Sequence, residues 1–443
     1  AIDLPSSLTA IGNNAFCYCT SLSSITLENT LTSLGDRAFL GCSKLKTADI
    51  DCRYLPLECF KDCGLLSDIQ LGSNVRQIHN SVFENCKSLK TLILPSSISS
   101  VGFGVFEACY SLEKIVFGDT PDEDMKVEGF YTGPNHRVNE IIVNCTMTDN
   151  VDNGGSIYIN CNQPDDVEFD GSDEIVFGEG VKRIGKRTLA GVDCKKVSIG
   201  KNVKYIGTEA FIDAKCQSLV FEQGSTLTTI ADFAFLRFDN SDADTPICLP
   251  NSLNHIGGGA FADAEFNENQ SLYIHKDLFI GLGAFENTRL STVEISDFSG
   301  IEFSAFENAR VTDLIIDCNS PDVTNGYHAV LGGIVPVDII LTDNVVTIGN
   351  NLIEVDFRYF NQSDRDTYRT LSIGKNVQKI GKIGNISDHW NRIYSKPLTP
   401  PEIPSNWLGY HRPEILVPAQ SLNKYKSAEN WKTYSDSLVG HDF

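Results

Sequence analysis

The sequence predicts a strand-dominated repeat solenoid of the α/β type, and three observations predict it. A Phe-centred motif recurs every 21 to 26 residues, a short alternating apolar run follows it, and a second apolar step precedes it. A period of this length is one supersecondary unit, which buries its apolar face only by stacking on its neighbours.

The motif copies come first. Asn13-Asn14-Ala15-Phe16-Cys17-Tyr18-Cys19 aligns with Asp36-Arg37-Ala38-Phe39-Leu40-Gly41-Cys42, then with segments centred on Phe60, Phe83 and Phe106. Runs of L-x-x-I-x-L type follow: Leu22/Ile25/Leu27, Leu45/Ala48/Ile50, Leu66/Ile69/Leu71, Leu89/Leu92/Leu94 and Leu112/Ile115/Phe117. Their last three positions alternate, which predicts a short strand with one buried face. Turn-forming residues come next, such as Gly72-Ser73-Asn74 and Pro95-Ser96-Ser97. The second apolar step is Leu31/Leu34, Val75/Ile78 or Ile98/Val101. The pattern resumes around Leu189, Phe211, Phe235, Phe261, Phe285 and Phe306, and a worn pair follows at Val345/Ile348 and Val377/Ile380.

The string L-P-x-x-(I/V)-x-x-I-G-x-x-A-F-x-x-C-x-x-L-x-x-I, read from Leu4 to Ile25 and from Leu94 to Ile115, resembles the BspA-type leucine-rich repeat. The tail, with Thr399-Pro400-Pro401, Ile415-Leu416-Val417-Pro418 and Leu422 to Lys432, resembles the C-terminal cap of many bacterial arrays. The resemblance implies a right-handed leucine-rich-repeat horseshoe with a parallel concave sheet. The solenoid is expected over residues 1–395, with regular arrays at about 1–117 and 175–390 and an irregular stretch at 118–174, and the capping segment over 396–443. In the irregular stretch, Ile141 to Cys145, Ile157 to Cys161 and Glu174 to Phe177 read as strands. Ile159-Asn160-Cys161-Asn162 recurs as Ile316-Asp317-Cys318-Asn319, so this stretch reads as part of the same solenoid.

Composition narrows the function. The chain has 443 residues, 58 Asp+Glu against 36 Lys+Arg, a net charge of -22 and 41% hydrophobic residues. That apolar fraction excludes global disorder, and the acidity argues against nucleic acid and anionic membranes, which reward clustered cations. No apolar run has the length of a transmembrane helix; Ala329 to Leu341 is interrupted by Pro336 and Asp338. The chain opens at Ala1 without the regions of a signal peptide, so an export signal is expected to have been removed.

Five aligned cysteines, Cys19, Cys42, Cys63, Cys86 and Cys109, raise redox or metal chemistry. Val192, Ala214, Ala264 and Ala309 stand at the equivalent place in later repeats, which fits small buried residues. The five are therefore expected reduced and buried. No C-x-x-C, paired-His spacing, H-E-x-x-H, G-x-S-x-G or Walker A sequence is present, so no metal, cofactor or catalytic residue is assigned. Gly257-Gly258-Gly259 reads as a repeat turn. The acidic clusters at 119–124 and 239–244 supply oxygen ligands for calcium but match no EF-hand loop, and read as solvated loops. Sequons at Asn144, Asn269, Asn361 and Asn385 matter only if the source glycosylates its exported proteins.

The strand positions between buried ones face outward. They read Thr26, Asp49, Gln70, Ile93 and Val116 in the first array, and Ser198, Val220, Cys248, Tyr273, Glu294, Ile315 and Ile340 in the second. Val220, Tyr273, Ile315 and Ile340 are the candidate ligand-binding residues, because apolar and aromatic anchors on a rigid face carry binding energy; β-branched residues also simply favour strands. The resemblance implies a non-enzymatic cell-surface or secreted bacterial protein whose repeat face adheres to a protein or cell-surface ligand. A glycan-binding or nutrient-capture module is the alternative, with Trp390, Trp407 and Trp431 of the C-terminal region contributing.

Overall fold

The computed structural model is a strand-dominated parallel β-solenoid. It describes residues 2–127, 138, 140–147, 151–153, 156–163, 165–171, 173–302, 304–319, 331–332, 334–350, 353–354, 369–382, 390–409 and 412–443. The chain divides into two compact units, Ala1–Leu227 and Thr228–Phe443.

In the first unit, β1 (Ser24–Leu27), β2 (Thr47–Ile50) and β3 (Asp68–Leu71) pair in parallel. A seven-stranded parallel sheet follows: β4 (Thr91–Leu94), β5 (Lys114–Val127), β6 (Glu140–Met147), β7 (Ser156–Ile159), β8 (Glu174–Phe177), β9 (Lys196–Ile199) and β10 (Leu219–Phe221). Each of its strands pairs with the next in sequence, through the irregular stretch as well. In the second unit eight parallel strands form one sheet: β11 (Ser271–Ile274), β12 (Arg289–Ile295), β13 (Arg310–Ile316), β14 (Val335–Leu341), β15 (Thr370–Ile373), β16 (Arg392–Ser395), β17 (Glu414–Pro418) and β18 (Leu438–His441). The second apolar steps form two-residue strands of their own, such as Gln77–Ile78 beside Ser100–Val101 and His255–Ile256 beside Phe279–Ile280.

The Phe motifs form the other wall. Their rings stack face to face, with centroids 5.2 Å apart for Phe16 and Phe39, 5.3 Å for Phe39 and Phe60, and 4.9 Å for Phe235 and Phe261. The backbone around them alternates. Residues two before and two after each motif residue are left-handed, for example Arg37 and Gly41 around Phe39, Gly104 and Ala108 around Phe106, and Gly259 and Asp263 around Phe261. This turns alternate N–H groups toward the next rung. Arg37, Phe39 and Gly41 donate to the carbonyls of Leu57, Cys59 and Lys61 at 2.9, 3.0 and 2.8 Å. Glycine adopts this conformation freely, whereas other residues meet a cost of about 1–2 kcal/mol, which the rung bonds offset.

The cysteine column lies beside the rings. Cys42, Cys63, Cys86 and Cys109 are buried and carry free thiols, and each donates to the carbonyl of the preceding motif Phe at 3.0 to 3.3 Å. Cys19 departs from the expectation, being exposed. Val192, Ala214, Ala264 and Ala309 are buried at the equivalent sites. Burial pushes the Cys86 thiol well above its ordinary pKa and Cys109 up to about 12.

In the C-terminal region the sequence pattern reads Ile415-Leu416-Val417 as a last strand and Leu422, Tyr425, Trp431 and Leu438 as the apolar side of one helix packed on it. Ile415, Leu416 and Val417 do lie in β17, and Leu422 and Tyr425 lie in the short helix α1 (Leu422–Ser427). Trp431 opens a 3-10 turn instead, and Leu438 opens β18, so these four residues do not share one helix. Asn430, with φ 64°, breaks the chain direction between α1 and the turn.

Two outcomes are expected. Replacing left-handed Ala108 by glycine should leave stability unchanged or raise it by up to about 1 kcal/mol, because relief of the left-handed strain opposes a more flexible unfolded chain. Chemical denaturation of Ala108→Gly checks this; a loss above 1 kcal/mol would contradict it. In alkylation followed by mass spectrometry, Cys19 and Cys248, both exposed, should label in the native protein. Cys63, Cys86 and Cys109 should label only after unfolding.

Candidate functional site

In-register pairing turns each outward strand position into a row. In the first unit Ile93, Val116, Ile142, Tyr158, Val176, Ser198 and Val220 are successive register partners. Ile93 and Val220, at the two ends, are 51% and 41% exposed, and the residues from Val116 to Val176 are half-buried. The polar partners Thr26, Asp49 and Gln70 form a separate row on β1 to β3.

In the second unit the row runs Tyr273, Glu294, Ile315, Ile340, Ser372, Tyr394, Leu416 and Val439. Tyr273, Ile315 and Ile340 therefore share one sheet, with Glu294 interposed, and Val220 belongs to the row of the first unit. Tyr273 is 51% exposed, while Ile315 and Ile340 are half-buried. Sequence reasoning missed Ile142, Tyr158 and Val176, although each stands at the centre of an alternating triplet. It also missed Ser372 and Tyr394. Cys248, read as an outward strand position, lies outside any strand.

The reason Cys248 leaves the sheet is a buried amide. The Gln270 side chain accepts from the Ile247 N–H at 2.8 Å and donates to the Ile247 carbonyl at 2.9 Å. A side chain thus takes the hydrogen bonds that a neighbouring strand would take. A cavity of about 260 Å³ lies between this segment and β11, lined by Ile247, Pro250, Tyr273, His275, Leu278 and Glu294 among others. The His275 ring is fixed, its nitrogens 2.6 Å from the Lys276 carbonyl and 3.0 Å from that of Leu253. The rings of Tyr273 and His275 lie 6.3 Å apart. Tyr273 is thus an aromatic surface beside a mainly apolar recess, which suits contact with a planar or apolar group.

The three tryptophans contradict the glycan reading of the C-terminal region. Trp390, Trp407 and Trp431 are all buried. The Trp431 ring lies 5.3 Å from Trp407 and 4.9 Å from Tyr425, and its Nε1 donates to the Pro401 carbonyl at 2.6 Å. The Tyr425 hydroxyl donates to the Pro397 carbonyl at 2.9 Å, and burial raises its pKa. These indoles supply interior volume, and no sugar ring reaches them. Among the described residues no group of three His, Cys, Asp or Glu side chains is placed to hold a metal ion, and no helix is long and apolar enough to cross a membrane.

Comparison with known proteins gives one family. The pattern described as BspA type leucine rich repeat region matches in 6 copies, over residues 1–121 and 168–271. Three solved structures are similar at low identity. A leucine rich cell surface protein from Faecalibacterium prausnitzii is 20% identical, with 59% of this chain and 83% of that chain covered and a TM-score of 0.25. A leucine-rich repeat protein from Bacteroides ovatus is 20% identical, with 65% and 82% covered and a TM-score of 0.28. A leucine rich repeat protein of T. pallidum is 19% identical, with 46% and 80% covered and a TM-score of 0.23. No curated protein matches the chain.

Proposed function

The chain belongs to the BspA-type leucine-rich repeat family, and from that membership we propose that it is a non-enzymatic binding protein, secreted or held at a bacterial surface, that engages a protein or cell-surface ligand through its outward strand rows. The rows of register partners carry this reading. An apolar and aromatic series on a hydrogen-bonded sheet is already rigid, so a partner gains burial without ordering long side chains. In this reading the rows form the concave face of a right-handed horseshoe, the repeats extend over 1–395, and 396–443 close the array. Val220, Tyr273, Ile315 and Ile340 are the contact residues. The net charge of -22 favours a basic or neutral partner, with association slowing as salt rises if the partner is basic.

The test is a binding screen against matrix proteins, glycans and bacterial cells. Tyr273→Ala and Ile315→Asp should each weaken the detected interaction at least tenfold with melting unchanged. Unaltered affinity in both would move the site off this row. A glycan as the sole ligand would favour nutrient capture at the Tyr273 recess.

The closing role of the C-terminal segment has its own test. A terminal repeat left open presents an apolar face and an unpaired strand edge. Deleting residues 400–443 removes Trp407, Trp431 and the two last strands, and should lower both solubility and melting temperature. A truncated chain as soluble and stable as the parent would refute the cap.

A further inference from the structure

Cys194 and Cys216 end two short parallel strands of the first unit, Asp193–Cys194 and Lys215–Cys216. They are direct register partners, and among the described residues no other two cysteines are. Both are reduced, with 2% and 1% exposure. Parallel strands lie about 4.8 Å apart, within the Cα separation of about 4.4 to 6.8 Å that a disulfide spans. Register partners also send their side chains the same way.

Packing does not account for this pair. The ladder thiols, three residues after the motif residue, have small apolar counterparts in later repeats. The place five residues after it follows no such rule. Cys194 and Cys216 stand there in the rungs of Leu189 and Phe211, and the next rungs carry Asn240, Phe266, Leu290 and Val311. A place that accepts an amide, a ring or a branched chain does not require two thiols in succession.

The two thiols also bond to each other. Cys216 donates to the Ser218 carbonyl at 2.9 Å, which leaves its sulfur lone pairs to accept the Cys194 S–H. That bond holds the Cys216 pKa below its ordinary value and raises that of Cys194, where burial adds to the rise. The cover above them is thin, since their sequence neighbours Asp193, Lys195 and Gln217 are exposed.

We propose that Cys194 and Cys216 form a redox pair, which a small peroxide closes into a disulfide between neighbouring rungs. The Cys216 thiolate attacks one peroxide oxygen and the O–O bond breaks. The leaving hydroxide takes up the proton that Cys216 gave up and becomes water. The Cys194 sulfur then displaces the hydroxyl of the Cys216 sulfenic acid, forming the S–S bond, and its own proton leaves with that hydroxyl as a second water. Two electrons pass from the thiols to the peroxide. Facing parallel residues hold their Cβ atoms wider apart than the about 3.8 Å of a disulfide. Closure therefore draws the two rungs together, which two-residue strands permit more readily than the seven-stranded sheet. This pair is independent of the outward rows and stands or falls without them.

The test is peptide mapping of the full chain by mass spectrometry, without reduction, after exposure to hydrogen peroxide. A cystine joining Cys194 to Cys216 is expected, forming at least tenfold faster than any other intramolecular cystine and opened by dithiothreitol. In Cys194→Ala the Cys216 sulfenic acid has no thiol to resolve it, and should take up dimedone at least tenfold more than in the parent. Cys194→Ser gives the same readout if the alanine variant melts well below the parent. Both thiols still open to alkylation after peroxide and unfolding would overturn the pair. So would a cystine between other cysteines in its place, or equal dimedone uptake at Cys216 in parent and variant.

Discussion

The structure depends on the backbone of the Phe-motif segments. A parallel sheet is paired along its strands, but a solenoid also has to satisfy the N–H groups on its opposite wall, where the Phe-motif residues form turns. Here the residues two before and two after each motif residue turn left-handed, which sends three N–H groups per rung to the next rung. Gly41, Gly104, Gly191, Gly259 and Gly283 occupy some of these places, and Asn85, Asp263 and Asn287 others, residues that accept positive φ most easily. Arg37, Glu58 and Phe233 adopt it as well, so the bonded wall outweighs local preference. The stacked rings and the thiols bonded to Phe carbonyls fill the space this wall encloses.

Once that wall fixes the stacking distance, strand register follows, and register decides what the protein offers a partner. Inward residues such as Leu92, Ile115 and Ile141 become core, while Ile93, Val116 and Ile142 become a surface row. The sequence alternation is the same in both sets. Only the pairing of successive strands converts isolated apolar residues into a continuous series. The Tyr273 recess exists because this rule lapses there: Gln270 occupies the hydrogen bonds of Ile247, and the segment stands off the sheet.

The repeat fold was legible because Phe16 to Phe106 and the alternating runs behind them carry it locally. The buried cysteines were legible through their Ala and Val counterparts. The exposure of Cys19 was not, since its motif carries the same Phe and Cys as those of the buried four. The tryptophans look like binding aromatics in composition, and only the packing of Trp431 against Trp407 and Tyr425 places them inside. The strands of the irregular stretch were visible as triplets. Their membership in one row was not, because unequal spacing hides which residue meets which. The Arg289 and Arg310 juxtaposition was hidden for the same reason, being two residues 21 apart that only register brings together.

In-register stacking also converts charge choice into a column property, since each side chain meets its equivalents one rung up and one rung down. A column of one sign accumulates repulsion that a single exposed ion pair, worth about 0–1 kcal/mol, does not cancel. The strand columns answer this by alternation: Lys114 beside Glu140, Glu174 beside Lys196, Arg392 beside Glu414, each both a register pair and an ion pair. Departures from alternation cluster in the second unit. Arg289 meets Arg310 on one register line and Asp313 meets Asp338 on another. The acidic pair is relieved within the chain, because Asp338 accepts from the Thr370 hydroxyl and N–H, and burial followed by the Asp338 charge raises the Asp313 pKa. The basic pair cannot be relieved by proton loss at neutral pH, since a guanidinium stays charged.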